Sequence, residues 1–134
     1  MDILKDVNIR KTPQSVIILD YLKKHPGHPT VNNIYQNIIK ENPNISLATV
    51  YNNLKRLSNQ KIIQEIYVKN GPSRFDKNPI THYHMVCNKC EKMVDLSYPV
   101  LHEIEKFVNN LYNFEVSKHE LNIYGVCENC KDYK

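Results

Sequence analysis

Between His82 and Asp95 the chain reads His-Tyr-His-Met-Val-Cys-Asn-Lys-Cys-Glu-Lys-Met-Val-Asp, which sets two imidazoles, two thiols and a closing carboxylate in one short stretch. Ligand atoms at that density point to metal. In an extended segment side chains alternate between faces, so His82 and His84 share one face while Tyr83 points away. Two imidazoles on one face can grip one ion. Cys87 and Cys90 have the two-residue gap that lets both thiolates converge on a tetrahedral cation across a tight turn, and Cys127 and Cys130 repeat it near the C-terminus. Four thiolates in two such pairs match a closed zinc site with no open position, which suits a stabilising ion in a small domain. A thiol redox switch and an iron–sulfur centre are the competing chemistries. The switch would be favoured by a lone, exposed CxxC at a helix start, which neither pair resembles.

A second constellation offers nitrogen and oxygen ligands: His82 and His84, with Asp76 before them and Asp95 after. Imidazole with carboxylate suits iron, manganese or zinc. Spacing leaves this site open, because an aspartate near a histidine is ordinarily a surface residue. His28, just before Pro29, reads most simply as a helix-entry histidine, and spacing suggests no partner for His25, His102 or His119.

The elements that must position these groups fall into two parts. Thr12-Pro13 is an N-cap followed by a proline suited to the first helical turn, and the helix it opens runs to the break at His25-Pro26-Gly27. Thr30 can cap a second helix carrying Val31, Ile34, Tyr35, Ile38 and Ile39, which Asn42-Pro43-Asn44 stops. Ser46 opens a third, with an apolar stripe of Leu47, Val50, Tyr51, Leu54 and Leu57. Its outward side carries Thr49, Asn52, Lys55 and Arg56, with Tyr51 on the flank, a set able to pair with base edges and phosphates in the major groove. On a bare helix this would be an ordinary solvated face. Here the two preceding elements make a helix-turn-helix, and the strands expected over residues 61–68 and 73–76, joined through Lys69-Asn70-Gly71, make a wing. Arg10 and Lys11, just ahead of the first helix, add positive charge that suits phosphate contact but reads more simply as a solvated tail. Residues 1–77 are therefore expected to form a winged-helix DNA-binding domain, 78–81 a hinge, and 82–134 a small α/β domain. In the latter, strands are expected at 84–87 and 93–96, a helix starting near Pro99 with Leu101, Ile104, Phe107, Val108 and Leu111 on one side, and one or two strands between Phe114 and Val126. The fold class is α+β.

The formal charge of +4 suits a nucleic-acid partner without establishing one. No apolar run approaches the length of a bilayer span, and the polar start lacks the core of a signal peptide, so a cytoplasmic protein without membrane contact is expected. There thiols stay reduced, which favours metal over disulfides. An enzyme would need an open metal position or an exposed reactive cysteine beside a general base; the sequence offers neither combination.

The segments Ser46-Leu47-Ala48-Thr49-Val50-Tyr51-Asn52-Asn53-Leu54, Ser73-Arg74-Phe75-Asp76, His82-Tyr83-His84 with Cys87 and Cys90, and Ile123-Tyr124-Gly125-Val126-Cys127 with Cys130 resemble the ferric uptake regulator family, most closely its peroxide-responsive repressor branch. The resemblance implies a homodimeric repressor on double-stranded operator DNA, with an α/β dimerisation domain and one structural zinc per subunit on the four cysteines. It also implies one regulatory ferrous iron or manganese per subunit, on His28, Asp76, His82, His84 and Asp95. Hydrogen peroxide is the signal it implies, with His28 and His82 converted to 2-oxo-histidine and defence genes derepressed. The alternative within the same fold is an iron-, manganese- or zinc-responsive uptake regulator. For DNA, the resemblance points to Arg10, Tyr51 and Asn52. One departure stands out: many relatives carry arginine after the Pro-Gln of the first helix, where this chain has Ser15.

Overall fold

The computed structural model describes residues 12–25, 27–80 and 82–131, so Arg10, Lys11 and Thr81 of the hinge lie outside the described residues. The chain divides into two units, Met1–Pro79 and Ile80–Lys134. The first contains α1 (Pro13–Lys24), α2 (Val31–Ile38) and α3 (Leu47–Asn59), followed by the antiparallel strands β1 (Gln64–Ile66) and β2 (Arg74–Asp76). Each helix begins on a hydroxyl cap: Thr12 accepts the Ser15 N–H, Thr30 that of Asn33 and Ser46 that of Thr49. A cap of this kind stabilises by about 1 kcal/mol. Ile18 and Leu22 of α1, Ile34 and Ile38 of α2, and Val50, Leu54 and Leu57 of α3 close one core with Ile62, Ile63 and Phe75. Leu47 and Tyr51 of the expected stripe stand outside it, exposed.

The wing is shorter than its sequence suggests. Lys61 adopts a left-handed φ of 62° and donates its N–H to Ser58, while Ile62 donates to Leu57, so this stretch finishes α3 in a Schellman closure before β1 begins. A buried polar knot then ties the wing to α3. Glu65 of β1 receives Lys55 Nζ at 2.8 and 3.0 Å, Ser73 Oγ at 2.6 Å and Tyr67 Oη at 3.2 Å. Burial alone would raise the Glu65 carboxyl, but the Lys55 and Ser73 hydrogen bonds outweigh it and hold the group below its ordinary range.

In the second unit the central strand β3 (Tyr83–Cys87) pairs antiparallel with β4 (Met93–Leu96) and parallel with β5 (Asn122–Gly125). Helix α4 (His102–Tyr112) starts later than Pro99 would suggest, with Leu101 outside as its N-cap residue. Between Phe114 and Val126 there is one strand, not two, and residues 113–121 are irregular. The apolar side of α4 is not internal: Ile104, Phe107 and Leu111 are all more than half exposed.

The Glu65 knot gives a prediction. Replacing Glu65 by Gln leaves Lys55 without its carboxylate and should destabilise the first unit by about 1–2 kcal/mol at neutral pH. Because the folded pKa lies below the unfolded one, the carboxylate's contribution is complete above the unfolded value and disappears as pH falls through the folded one. Thermal melts of wild type and E65Q should therefore converge at acid pH; a constant gap would refute the ionic account.

Candidate functional site

The zinc site is assembled by sheet register. Strand β3 ends on Cys87, and a turn in which Glu91 takes a φ of 64° brings Cys90 back beside it. Parallel pairing sets Gly125 opposite Cys87, so the chain leaving β5 delivers Cys127, and a 3-10 turn over Glu128–Cys130 delivers the fourth sulfur. All four Sγ atoms lie within 4.8 Å of one another, with Cys90 and Cys127 at 3.8 Å. Sulfurs about 2.3 Å from a common tetrahedral zinc stand about 3.8 Å apart, so the donor set fits that ion. Backbone N–H groups of Cys90, Cys127 and Lys89 point at Cys87 Sγ and pull its thiol down to about 6. Hydrogen bonding to the Cys127 and Cys90 sulfurs holds the Cys130 proton, pushing that thiol up to about 12. One thiolate is thus prepared, and another proton must be displaced on metal binding.

In the first unit, Phe75 donates its N–H to the Pro29 carbonyl at 2.9 Å and Arg74 donates to the His28 carbonyl, fastening the loop before α2 along β2. This sets His28 Nε2 3.2 Å from Asp76 Oδ2, with both side chains buried. Asp76 Oδ1 accepts the Asn78 N–H, which fixes the carboxylate's orientation. In the second unit, His84 faces Asp95 across the β3–β4 ladder. His82 Nε2 and His84 Nε2 lie 3.1 and 3.4 Å from the same Asp95 Oδ1. His82 donates Nδ1–H to the Ile80 carbonyl, which selects the tautomer whose Nε2 lone pair is available to a metal. These borderline nitrogen and hard oxygen donors fit divalent iron or manganese, as the thiolates fit zinc.

On α3, Tyr51 and Asn52 are exposed, whereas Thr49 is half-buried and shares a hydrogen bond with the Ser46 hydroxyl. Lys55 is committed to Glu65. Arg56 does not project outward as its helical position suggests: its Nη2 donates to Ser15 Oγ of α1 and, at 2.8 Å, to Asn53 Oδ1. Two histidines without an assignment from spacing prove to be paired. Tyr83 Oη bonds His119 Nε2 at 2.6 Å and accepts the Leu101 N–H, while His119 Nδ1 reaches Glu105 at 2.7 Å and His102 reaches the other Glu105 oxygen. Hydrogen bonds from His119 and then His102 hold the Glu105 carboxyl low. This chain fastens α4 to β3; the groups come from distant positions, so no local spacing could announce it.

Replacing Cys130 by Ser should abolish the zinc content, about one ion per chain in the wild type, measured by elemental mass spectrometry. The far-UV signal of the second unit should fall with it. A zinc-free variant with that unit fully folded would contradict the stabilising role.

The model of the ferric uptake regulator family matches residues 6–124. The peroxide-responsive repressor PerR of Staphylococcus aureus strain Mu50 is 44% identical over 129 residues, spanning 96% of this chain and 87% of the relative. Among solved structures, the Campylobacter jejuni peroxide stress regulator is 36% identical with a TM-score of 0.73, covering 88% of this chain and 89% of its own. The Helicobacter pylori ferric uptake regulator reaches a TM-score of 0.77 at 19% identity over 98% of this chain and 88% of its own, a likeness of fold. Members of the family are dimeric, metal-responsive DNA-binding transcription regulators rather than enzymes. With its family motifs matched from residue 6 to residue 124 and its thiolate and imidazole–carboxylate groups assembled as described, this chain belongs to the ferric uptake regulator family.

Proposed function

We propose that the protein is a cytoplasmic, homodimeric repressor that releases operator DNA when hydrogen peroxide oxidises ligands of its regulatory metal. The observation that carries this reading is the pair of preset imidazole–carboxylate groups, His28 with Asp76 and His82 and His84 with Asp95. Aspartate stands at both acidic positions. The peroxide-responsive relatives support the same signal. No helix among the described residues is long and apolar enough to cross a membrane.

In this reading one ion is shared by ligands from both units, so its binding favours one DNA-competent arrangement of the dimer. Residues 1–77 bind DNA, residues 78–81 form the hinge and residues 82–134 dimerise. Arg10 and Lys11 contribute to phosphate contact, and Thr49, Tyr51 and Asn52 enter the major groove. The exposed apolar side of α4, with Ile104, Phe107 and Leu111, is suited to burial against a second copy. Bound ferrous iron supplies the reducing chemistry that makes peroxide reactive at this site. The imidazole of His28 or His82 gains one oxygen atom at its ring carbon, and the other peroxide oxygen leaves as water. The resulting 2-oxo-histidine is a poor nitrogen donor, and the DNA-competent arrangement is lost.

Two experiments test the reading. Iron-loaded protein treated with peroxide should gain about 16 Da in peptides containing His28 or His82, the mass of one oxygen, and lose its operator complex; manganese-loaded protein should keep those peptides unmodified and its operator complex intact. Unmodified iron-loaded protein still bound to DNA would favour the metal-uptake regulator. Separately, Asp95→Ala should weaken manganese and operator binding by at least tenfold, measured by titration, with zinc content and dimer mass unchanged. Loss of zinc in that variant would show that the two metal groups are not independent.

A further inference from the structure

The Arg56 guanidinium bridges two helices, and its acceptors among the described residues are neutral. Its Nη2 donates to the fully buried Ser15 Oγ in the first turn of α1 and to Asn53 Oδ1 on its own helix. Ser15 Oγ in turn donates to Asn53 Oδ1 at 3.0 Å, and Thr12 Oγ1 donates to Ser15 Oγ at 2.9 Å, so the group is held by a closed polar ring. Among the described residues no carboxylate pairs with Arg56, and its buried Nε has no hydrogen-bond acceptor. The first turn of α1 contains no acidic residue, and its N-terminal dipole adds to the same positive field. Arg56 also continues a helical row from Thr49 through Asn52 and Asn53, which carries the exposed amide of Asn52.

A positive group anchored between α1 and α3, with no carboxylate paired to it among the described residues, is suited to an anion arriving from outside. We infer that Arg56 is a DNA-backbone contact: it is locked onto Ser15 and Asn53 through Nη2 so that its Nη1 donors meet one phosphate per subunit, rather than reading a base. This rests on the repressor reading above and deepens it. Anchored donors suit a phosphate, whose position varies little with sequence, whereas a base-reading arginine must present both arms of its fork to guanine. Here Nη2 is already occupied by Ser15 and Asn53. Ser15, which lacks a charge of its own, acts as the seat for a guanidinium delivered from another helix.

The test uses full-length, zinc-containing, manganese-loaded protein on two duplexes: one selected by the wild-type protein from a random pool, and one scrambled duplex of equal length. Affinities are measured across salt concentrations for wild type, R56Q and R56K, with thermal melts of each. R56Q should weaken both duplexes by a similar factor, about tenfold, and reduce the log–log salt slope by about one per subunit. R56K should restore the slope while recovering only part of the affinity, since an ammonium keeps the charge but not the fork. A loss confined to the selected duplex with an unchanged slope would make Arg56 a base reader and overturn the inference. So would a lowered melting temperature with unchanged DNA binding, the mark of a purely structural brace. If R56Q does not fold, an R56K slope reduced by about one per subunit would overturn it equally, and a wild-type slope would support it. Failure of the wild-type protein to bind any duplex would overturn the repressor reading and this inference together, whereas wild-type binding with an unchanged R56Q slope overturns this inference alone.

Discussion

Convergence of four cysteine sulfurs is the constraint on which the second unit depends. Its buried residues among those described are Tyr83, His84, Val86, Cys87 and Met93, and α4 buries none. So small a core gives little cooperative stability, and a structural zinc supplies folding free energy directly. The sulfurs come from the end of β3, the turn after it and the segment after β5, so binding them holds the parallel β3–β5 pair in register. The β3–β4 ladder is built on that same central strand, and the His84–Asp95 pairing is one rung of it. The thiolate site therefore supports the strand that carries His84.

The first unit is organised differently. Its apolar core is continuous through three helices and the wing, and it has polar ties at the edges of that core. Glu65 holds Lys55 on the wing side of α3, and Ser15 with Asn53 holds Arg56 on the α1 side. Both ties restrict long, flexible side chains that a solvated helix would leave mobile. Leu47, Ala48, Tyr51, Asn52 and Asn59 remain exposed on α3. The helix is braced on two sides.

The two kinds of donor set divide the metal chemistry. Four converging sulfurs, one of them, Cys87 Sγ, met by three backbone N–H groups, favour a closed site. Imidazoles beside a carbonyl and aspartates form a donor set that fits divalent iron or manganese. Family membership agrees with both. The Tyr83–His119–Glu105 chain adds a further tie within the second unit, where apolar burial is thin.

Local patterns were enough to identify much of this protein. Helix caps at Thr12, Thr30 and Ser46, the stripe through Val50, Leu54 and Leu57, the paired CxxC motifs and the shared face of His82 and His84 are all short-range regularities. Backbone geometry translates such regularities directly into structure. Their limits are local too: Lys61 closes α3 in a left-handed conformation without the glycine that would mark it, and α4 starts after Pro99 because proline permits a helix start without requiring one. His28 was assigned by resemblance alone; its pairing with Asp76 depends on the Pro29–Phe75 hydrogen bond between segments far apart in sequence. The inward turn of Arg56 and the partners of His102 and His119 have the same origin. Sequence alone determined which residues could cap, pack or ligate, because those properties belong to the residue and its near neighbours. Tertiary structure decided which of the polar groups are occupied within the fold and which are left for a metal or DNA, because hydrogen bonds between distant segments exist only after the chain has closed.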